Sequence, residues 1–87
     1  MPKIRKEVPI ETMKRVLKNA LGDEFRISDE ACSCLSDFVE KLVKEIGNEA
    51  SKVVKFTKRK TIKKRDIEFV LEDVDKIVNK IAEKMVR

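Results

Sequence analysis

Apolar residues fall at helical spacing along almost the whole chain. Ile10, Met13, Val16, Leu17, Ala20 and Leu21 make one stripe. Val8-Pro9 opens it, since proline is tolerated in a first turn whose N–H groups are unpaired anyway. Glu11 suits the positive end of that helix, and the helix is expected to end near Gly22. A loop at Gly22-Asp23-Glu24 and a short extended piece at Phe25-Arg26-Ile27 follow, and then Ser28 with Asp29-Glu30 supplies an N-cap and first-turn acids. The next stripe is Ala31, Leu35, Phe38, Val39, Leu42, Ile46, Ala50, Val53 and Val54. It predicts one helix to about Lys58, roughly 45 Å long at 1.5 Å per residue, which Gly47 weakens without ending. Beyond Arg59-Lys60-Thr61-Ile62, Lys63 opens a third helical segment carrying Ile67, Val70, Leu71, Val74, Ile77, Val78, Ile81 and Met85. The pattern allows one helix to the C-terminus or two helices broken near Glu72-Asp73.

A first helix of about twelve residues spans only ~18 Å and cannot cover a ~45 Å helix within a compact three-helix monomer. Leu35, Phe38, Val39, Leu42 and Ile46 are therefore expected to form a dimer core against a second chain. Two such long helices crossing near their centres, each capped by the partner's shorter helices, would cover the stripe, and a dimer of this kind folds only when paired. A chain of 87 residues permits one domain, expected over 1–87, with a core at 8–71 and a helical extension at 72–87.

With 2 Gly, 2 Pro, no Trp and no Tyr, the composition reads as all-α. No apolar run is long enough to span a membrane, and Met1 to Lys6 is charged without an apolar stretch behind it, so neither a span nor a secretory signal is expected. A cytoplasmic, chromosome-associated setting is expected. Cys32 and Cys34 lie two apart in a helix, where their side chains point away from each other and cannot bridge. Cys34, a turn from Ala31 and Phe38, is expected as a small buried hydrophobe, and the chain has no histidine or further cysteine to complete a zinc site. It also has no Gly-rich phosphate loop and no nucleophile with a base at workable spacing. An enzyme, a metal, a cofactor and a small-molecule substrate are all unexpected.

The net charge of +5 is distributed unevenly. Lys52, Lys55, Lys58, Arg59, Lys60, Lys63, Lys64 and Arg65 follow one another with no acid among them, whereas the other charged faces mix signs as a solvated helix does. Cations clustered in loops and at a helix start neutralise phosphates, and the Thr61 hydroxyl can donate to one. Double-stranded DNA, held by its backbone, is the expected partner. A membrane-surface helix fits less well, because a loop splits the basic run.

The short–long–short helix order, with Arg26-Ile27-Ser28-Asp29-Glu30-Ala31 opening the long helix and Arg59-Lys60-Thr61-Ile62-Lys63 following it, resembles the histone fold, specifically the archaeal histones. Pro9-Ile10, Arg15-Val16-Leu17-Lys18 and Asp66-Ile67-Glu68 add to the likeness, which covers Pro9 to Leu71. The resemblance implies a head-to-tail handshake homodimer in which Phe25-Arg26-Ile27 of one chain lies parallel to Thr61-Ile62 of the other. It implies a structural ion pair between Arg59 and Asp66. It further implies DNA contacts at Arg15, Lys18, Arg26, Lys60, Thr61 and Lys63, with Arg26 entering the minor groove and Lys14 and Lys64 as bystanders. The expected function is sequence-tolerant compaction, bending or bridging of chromosomal DNA. The competing expectation is a subunit that pairs with a different histone-fold chain in a transcription or chromosome-associated complex.

Three features depart from that family. The stretch from Leu21 to Phe25 is slightly longer. Phe56 stands where a histidine is usual, with Val53 and Phe69 beside it as dimer–dimer candidates. The extension from Glu72 to Arg87 carries an apolar stripe that must be covered, either over the dimer's own surface near Phe56 and Phe69 or in a new bundle joining two dimers. The length of the stripe favours a tetramer.

Overall fold

The computed structural model describes residues 9–86, which are helical with no strand among them. Four α-helices follow in order: α1 (Ile10–Leu21), α2 (Asp29–Phe56), α3 (Lys64–Leu71) and α4 (Val74–Val86). The chain forms two compact units whose boundary lies inside α2, between Glu40 and Lys41.

In the first unit, the Met13 N–H donates to the Pro9 carbonyl at 3.3 Å, so proline stands at the N-cap of α1. The helix ends where the Gly22 N–H donates to the Lys18 carbonyl. Gly22 has φ 76° and ψ −163°, a region open essentially to glycine alone. A single 3-10 turn, Gly22–Glu24, leads to an extended Phe25. Ser28 then caps α2, its Oγ accepting from the Ala31 N–H at 3.1 Å. Lys14 Nζ lies 2.6 Å from an Asp29 carboxylate oxygen, tying α1 to the start of α2. That hydrogen bond and the charge of Asp29 hold the Lys14 pKa above its ordinary value. Cys32 and Ser36 are fully buried, and Cys34 is exposed, so the buried cysteine is Cys32 and not Cys34 as expected. Two residues turn a helix by about 200°, so only one of the pair can face inward.

In the second unit, Ala50 and Val54 of α2, Val70 of α3 and Ile81 of α4 are the buried apolar residues. α2 stops at Phe56, short of the expected Lys58. Lys58 is left-handed at φ 61°; its N–H donates to the Lys55 carbonyl and the Arg59 N–H to that of Val54, both at 3.0 Å. These two bonds make a Schellman C-cap with lysine in the place usually held by glycine. Lys63 is the cap of α3 rather than its first residue, and its N–H donates to Asp66 Oδ2 at 2.7 Å.

The third helical segment is two helices. The Glu72 and Asp73 N–H groups close a turn on Phe69 and Val70. Two acids oppose the negative end of α3 and favour the positive end of α4, which accounts for the break. α4 folds back on its own chain: Lys80 Nζ lies 3.4 Å from Glu45 Oε2, and Ile81 is buried beside Lys41, Lys44 and Asn48 of α2. Val74, Ile77, Val78 and Met85 are partly covered. The stripe expected to join two dimers is thus partly taken up within the chain. It does not cover Phe56, 90% exposed, or Phe69, 60% exposed.

Candidate nucleic-acid interface

The connection between α2 and α3 is organised by one guanidinium. Arg59 Nη2 donates to Asp66 Oδ1 at 2.8 Å and Nη1 to Oδ2 at 3.2 Å, a two-pronged pair. Nη1 also donates to the Thr61 carbonyl at 3.2 Å, and Nε to Thr57 Oγ1 at 3.0 Å. Thr57 Oγ1 in turn donates to the Val54 carbonyl at 3.0 Å. Asp66 is buried, and the Arg59 hydrogen bonds, with the Lys63 N–H, hold its carboxyl below the usual carboxylate range. The same hydrogen bonds raise Arg59. Arg59 therefore belongs to the scaffold of the loop, and its charge is matched inside it.

Around this clamp, Lys55, Lys58, Lys60, Thr61 and Lys63 are exposed. Lys64 leans toward Glu68 at 3.9 Å, and Lys52 toward Glu49 at 3.2 Å. Among the described residues no acid pairs with Lys55, Lys58 or Lys60. Those three lysines, with Arg59, rim a cleft of about 460 Å³ whose other walls are Ser51, Val54 and Ile62. No carboxylate lines it.

In the first unit, Arg15 and Lys18 are exposed on α1, and Arg26 is exposed in the non-helical segment 25–28. Lys14, held by Asp29, is an internal tie.

The bulky side of α2 is not covered by the chain itself. Leu35 is exposed, and Phe38, Val39, Leu42 and Ile46 are half-buried. Val43, 61% exposed, extends this set. It lies four residues after Val39 and three before Ile46, so the spacing that selected its neighbours could have found it. Val53 is half-buried. Among the described residues no group of three or more His, Cys, Asp or Glu is placed to hold a metal, and no helix is long and apolar enough to cross a membrane.

The family model described as "Histone-like transcription factor (CBF/NF-Y) and archaeal histone" matches residues 6–71. The chain belongs to this histone-fold family. Within it, the chain is similar to transcriptional activator hap3 of Schizosaccharomyces pombe, 37% identical over 60 residues, which are 69% of this chain and 52% of that protein. It is similar to nuclear transcription factor Y subunit beta of Homo sapiens, 34% identical over 64 residues, 74% of this chain and 31% of that one. It is also similar to transcriptional activator HAP3 of Saccharomyces cerevisiae, 35% identical over 60 residues, 69% of this chain and 42% of that one. The chain thus spans about half or less of these relatives. No solved structure matches significantly.

These findings establish the broad family, whose description names archaeal histones beside transcription factors, and they do not single out the archaeal histones within it. The relatives are eukaryotic transcription proteins, and their names lend no support to an archaeal, nucleoid or tetrameric protein, nor to a cytoplasmic setting. α4 lies beyond the matched residues.

Proposed function

We propose that this chain is a DNA-binding histone-fold subunit of a heteromeric transcription complex. It pairs with a second histone-fold chain through the exposed apolar side of α2, and it holds duplex DNA by the phosphate backbone. The observation that carries DNA binding is the α2–α3 connection, in which Arg59 is matched by Asp66 while Lys58 and Lys60 are left without an acid. Lys60, Thr61 and Lys63 contact phosphates from that loop, Arg15 and Lys18 from α1, and Arg26 reaches into the minor groove. None of these contacts reads a base edge, so sequence choice comes from other subunits or from DNA bendability. The relatives favour a partner of different sequence: one is named as a subunit, and the others as transcriptional activators.

A second reading is a self-paired architectural protein bound to chromosomal DNA. The uninterrupted cations from Lys52 to Arg65 favour it, since they suit sequence-tolerant binding. Circular dichroism and sedimentation of the full chain alone, followed by fluorescence anisotropy on two unrelated duplexes across a salt series, separate the two. A chain unfolded alone that folds and binds DNA with an added histone-fold partner supports the heteromeric reading. A folded dimer that binds both duplexes equally, with affinity falling steeply with salt, supports the self-paired one. A folded, paired protein that ignores DNA at low salt refutes both.

A further inference from the structure

Within the second unit, α2 and α4 line a cleft of about 360 Å³ that carries Lys41 and Lys44 of α2 and Lys80 and Lys84 of α4. All four lysines are exposed, and the buried Ile81 lies among them. Glu45 is the one carboxylate in the cleft, and Lys80 answers it at 3.4 Å. Lys41 and Lys84 pair with no acid among the described residues. A concave surface with an excess of one charge concentrates ligands of the opposite charge. The cleft is separate from the two surfaces described above. Lys41 and Lys44 each stand two residues before an apolar residue of the proposed pairing side, Val43 and Ile46. Two residues turn a helix by about 200°, so these lysines face away from that side. Lys41 is also about 21 Å along α2 from Lys55, at 1.5 Å per residue. Lys80 and Lys84 belong to α4, which lies beyond the residues matched by the family model.

We propose that the α2–α4 cleft docks an acidic segment of another protein. Carboxylates of that segment meet Lys41, Lys44 and Lys84, and an apolar side chain between them covers Ile81 and the lysine stems. A phosphate backbone suits the cleft less well. It carries a charge at every step and brings no apolar side chain to Ile81, whereas a peptide can set an uncharged residue opposite Glu45. The docking surface is additional to pairing and to DNA binding and depends on neither.

The test uses the full chain in its paired, folded form and a fluorescent synthetic peptide of glutamate and leucine, with a peptide of lysine and leucine as control. The acidic peptide binds, more weakly as salt rises, and the basic one does not. Lys41→Gln combined with Lys84→Gln lowers the affinity for the acidic peptide roughly three- to tenfold, the worth of two exposed ion pairs. Arginine at the same two positions retains it. Lys58→Gln combined with Lys60→Gln, which removes charge from the α2–α3 connection instead, leaves peptide binding at the wild-type level. Wild-type peptide affinity in the Lys41→Gln, Lys84→Gln protein would overturn the inference, as would loss of the peptide through Lys58→Gln and Lys60→Gln. Duplex DNA whose affinity falls with Lys41→Gln and Lys84→Gln as far as the peptide's does would also overturn it, by making a phosphate backbone the occupant.

Discussion

Two glycines allow the backbone of the chain to be tested with the same substitution and opposite expected signs. Gly22 ends α1 at φ 76°, ψ −163°, and a Cβ built there meets nothing within 4 Å. Gly22→Ala therefore creates no clash, and whatever it does is conformational. Holding alanine in that region costs about 1–3 kcal/mol. For a domain of this size each kcal/mol lowers the midpoint by about 4–8 °C, so a fall of roughly 10 °C is expected. Gly47 lies inside α2, where a Cβ also meets nothing within 4 Å. There alanine restores helix propensity and gains about 0.5–1 kcal/mol. Urea and thermal denaturation at matched protein concentration measure both, because a paired fold shifts its midpoint with concentration. A Gly22→Ala protein as stable as wild type would refute the conformational account of the α1 terminus. A destabilised Gly47→Ala protein would show that a partner chain approaches α2 at that point.

Three further outcomes follow from the cap, the clamp and the DNA surface. Ser28→Ala removes the acceptor of the Ala31 N–H and lowers unfolding free energy by about 1 kcal/mol in denaturant melts. The Asp66 carboxyl is held below its ordinary value near 3.8, so its stabilisation is complete above that pH and is lost as pH falls through the lower folded value. Thermal melts between pH 7 and pH 2.5 should show the wild type weakening at the acid end, while Asp66→Asn is less stable at pH 7 and lacks that part of the pH dependence; parallel curves for the two proteins would contradict it. Arg26→Ala should weaken binding to two unrelated duplexes by the same factor and reduce the salt slope by about one, whereas loss on only one duplex would mean that Arg26 reads sequence.

The helices were legible in the periodicity because each buries one side. Their ends were less so. The α1 terminus is marked by Gly22, but the end of α2 carries no glycine: Lys58 takes the left-handed position, and a lysine gives no warning of it. The break at Glu72-Asp73 depends on where acids sit relative to two helix dipoles, which apolar spacing does not register. The Arg59–Asp66 pair came from family likeness, and no composition or charge count would separate Arg59 from the lysines beside it. What the sequence could not show was which cations are matched by acids once the chain is folded.

The cysteines reveal why α2 was only half understood from its stripe. Its buried residues within the chain are Cys32, Ser36, Ala50 and Val54, at spacings that keep them on one face. Three of the four are small and two are weakly hydrophobic, so a reading by hydrophobicity passes over Cys32 and Ser36. Leu35, Phe38, Val39, Leu42, Val43 and Ile46 are bulkier and the chain leaves them open or half-buried; Val39 and Val43 share the face of Cys32, Ser36 and Ala50. Small residues suit close packing by the chain's own helices, while large ones carry more apolar area to be gained on association. On the proposed pairing, this open central stretch of α2 is the apolar area that a second chain would cover. The proposed DNA surface inherits that dependence. Lys58 and Lys60 stand on a loop fixed at one end by the C-cap of α2 and at the other by the Asp66 cap of α3. On the proposed function, anything that loosens the pairing of α2 would loosen the platform from which those lysines would reach phosphate.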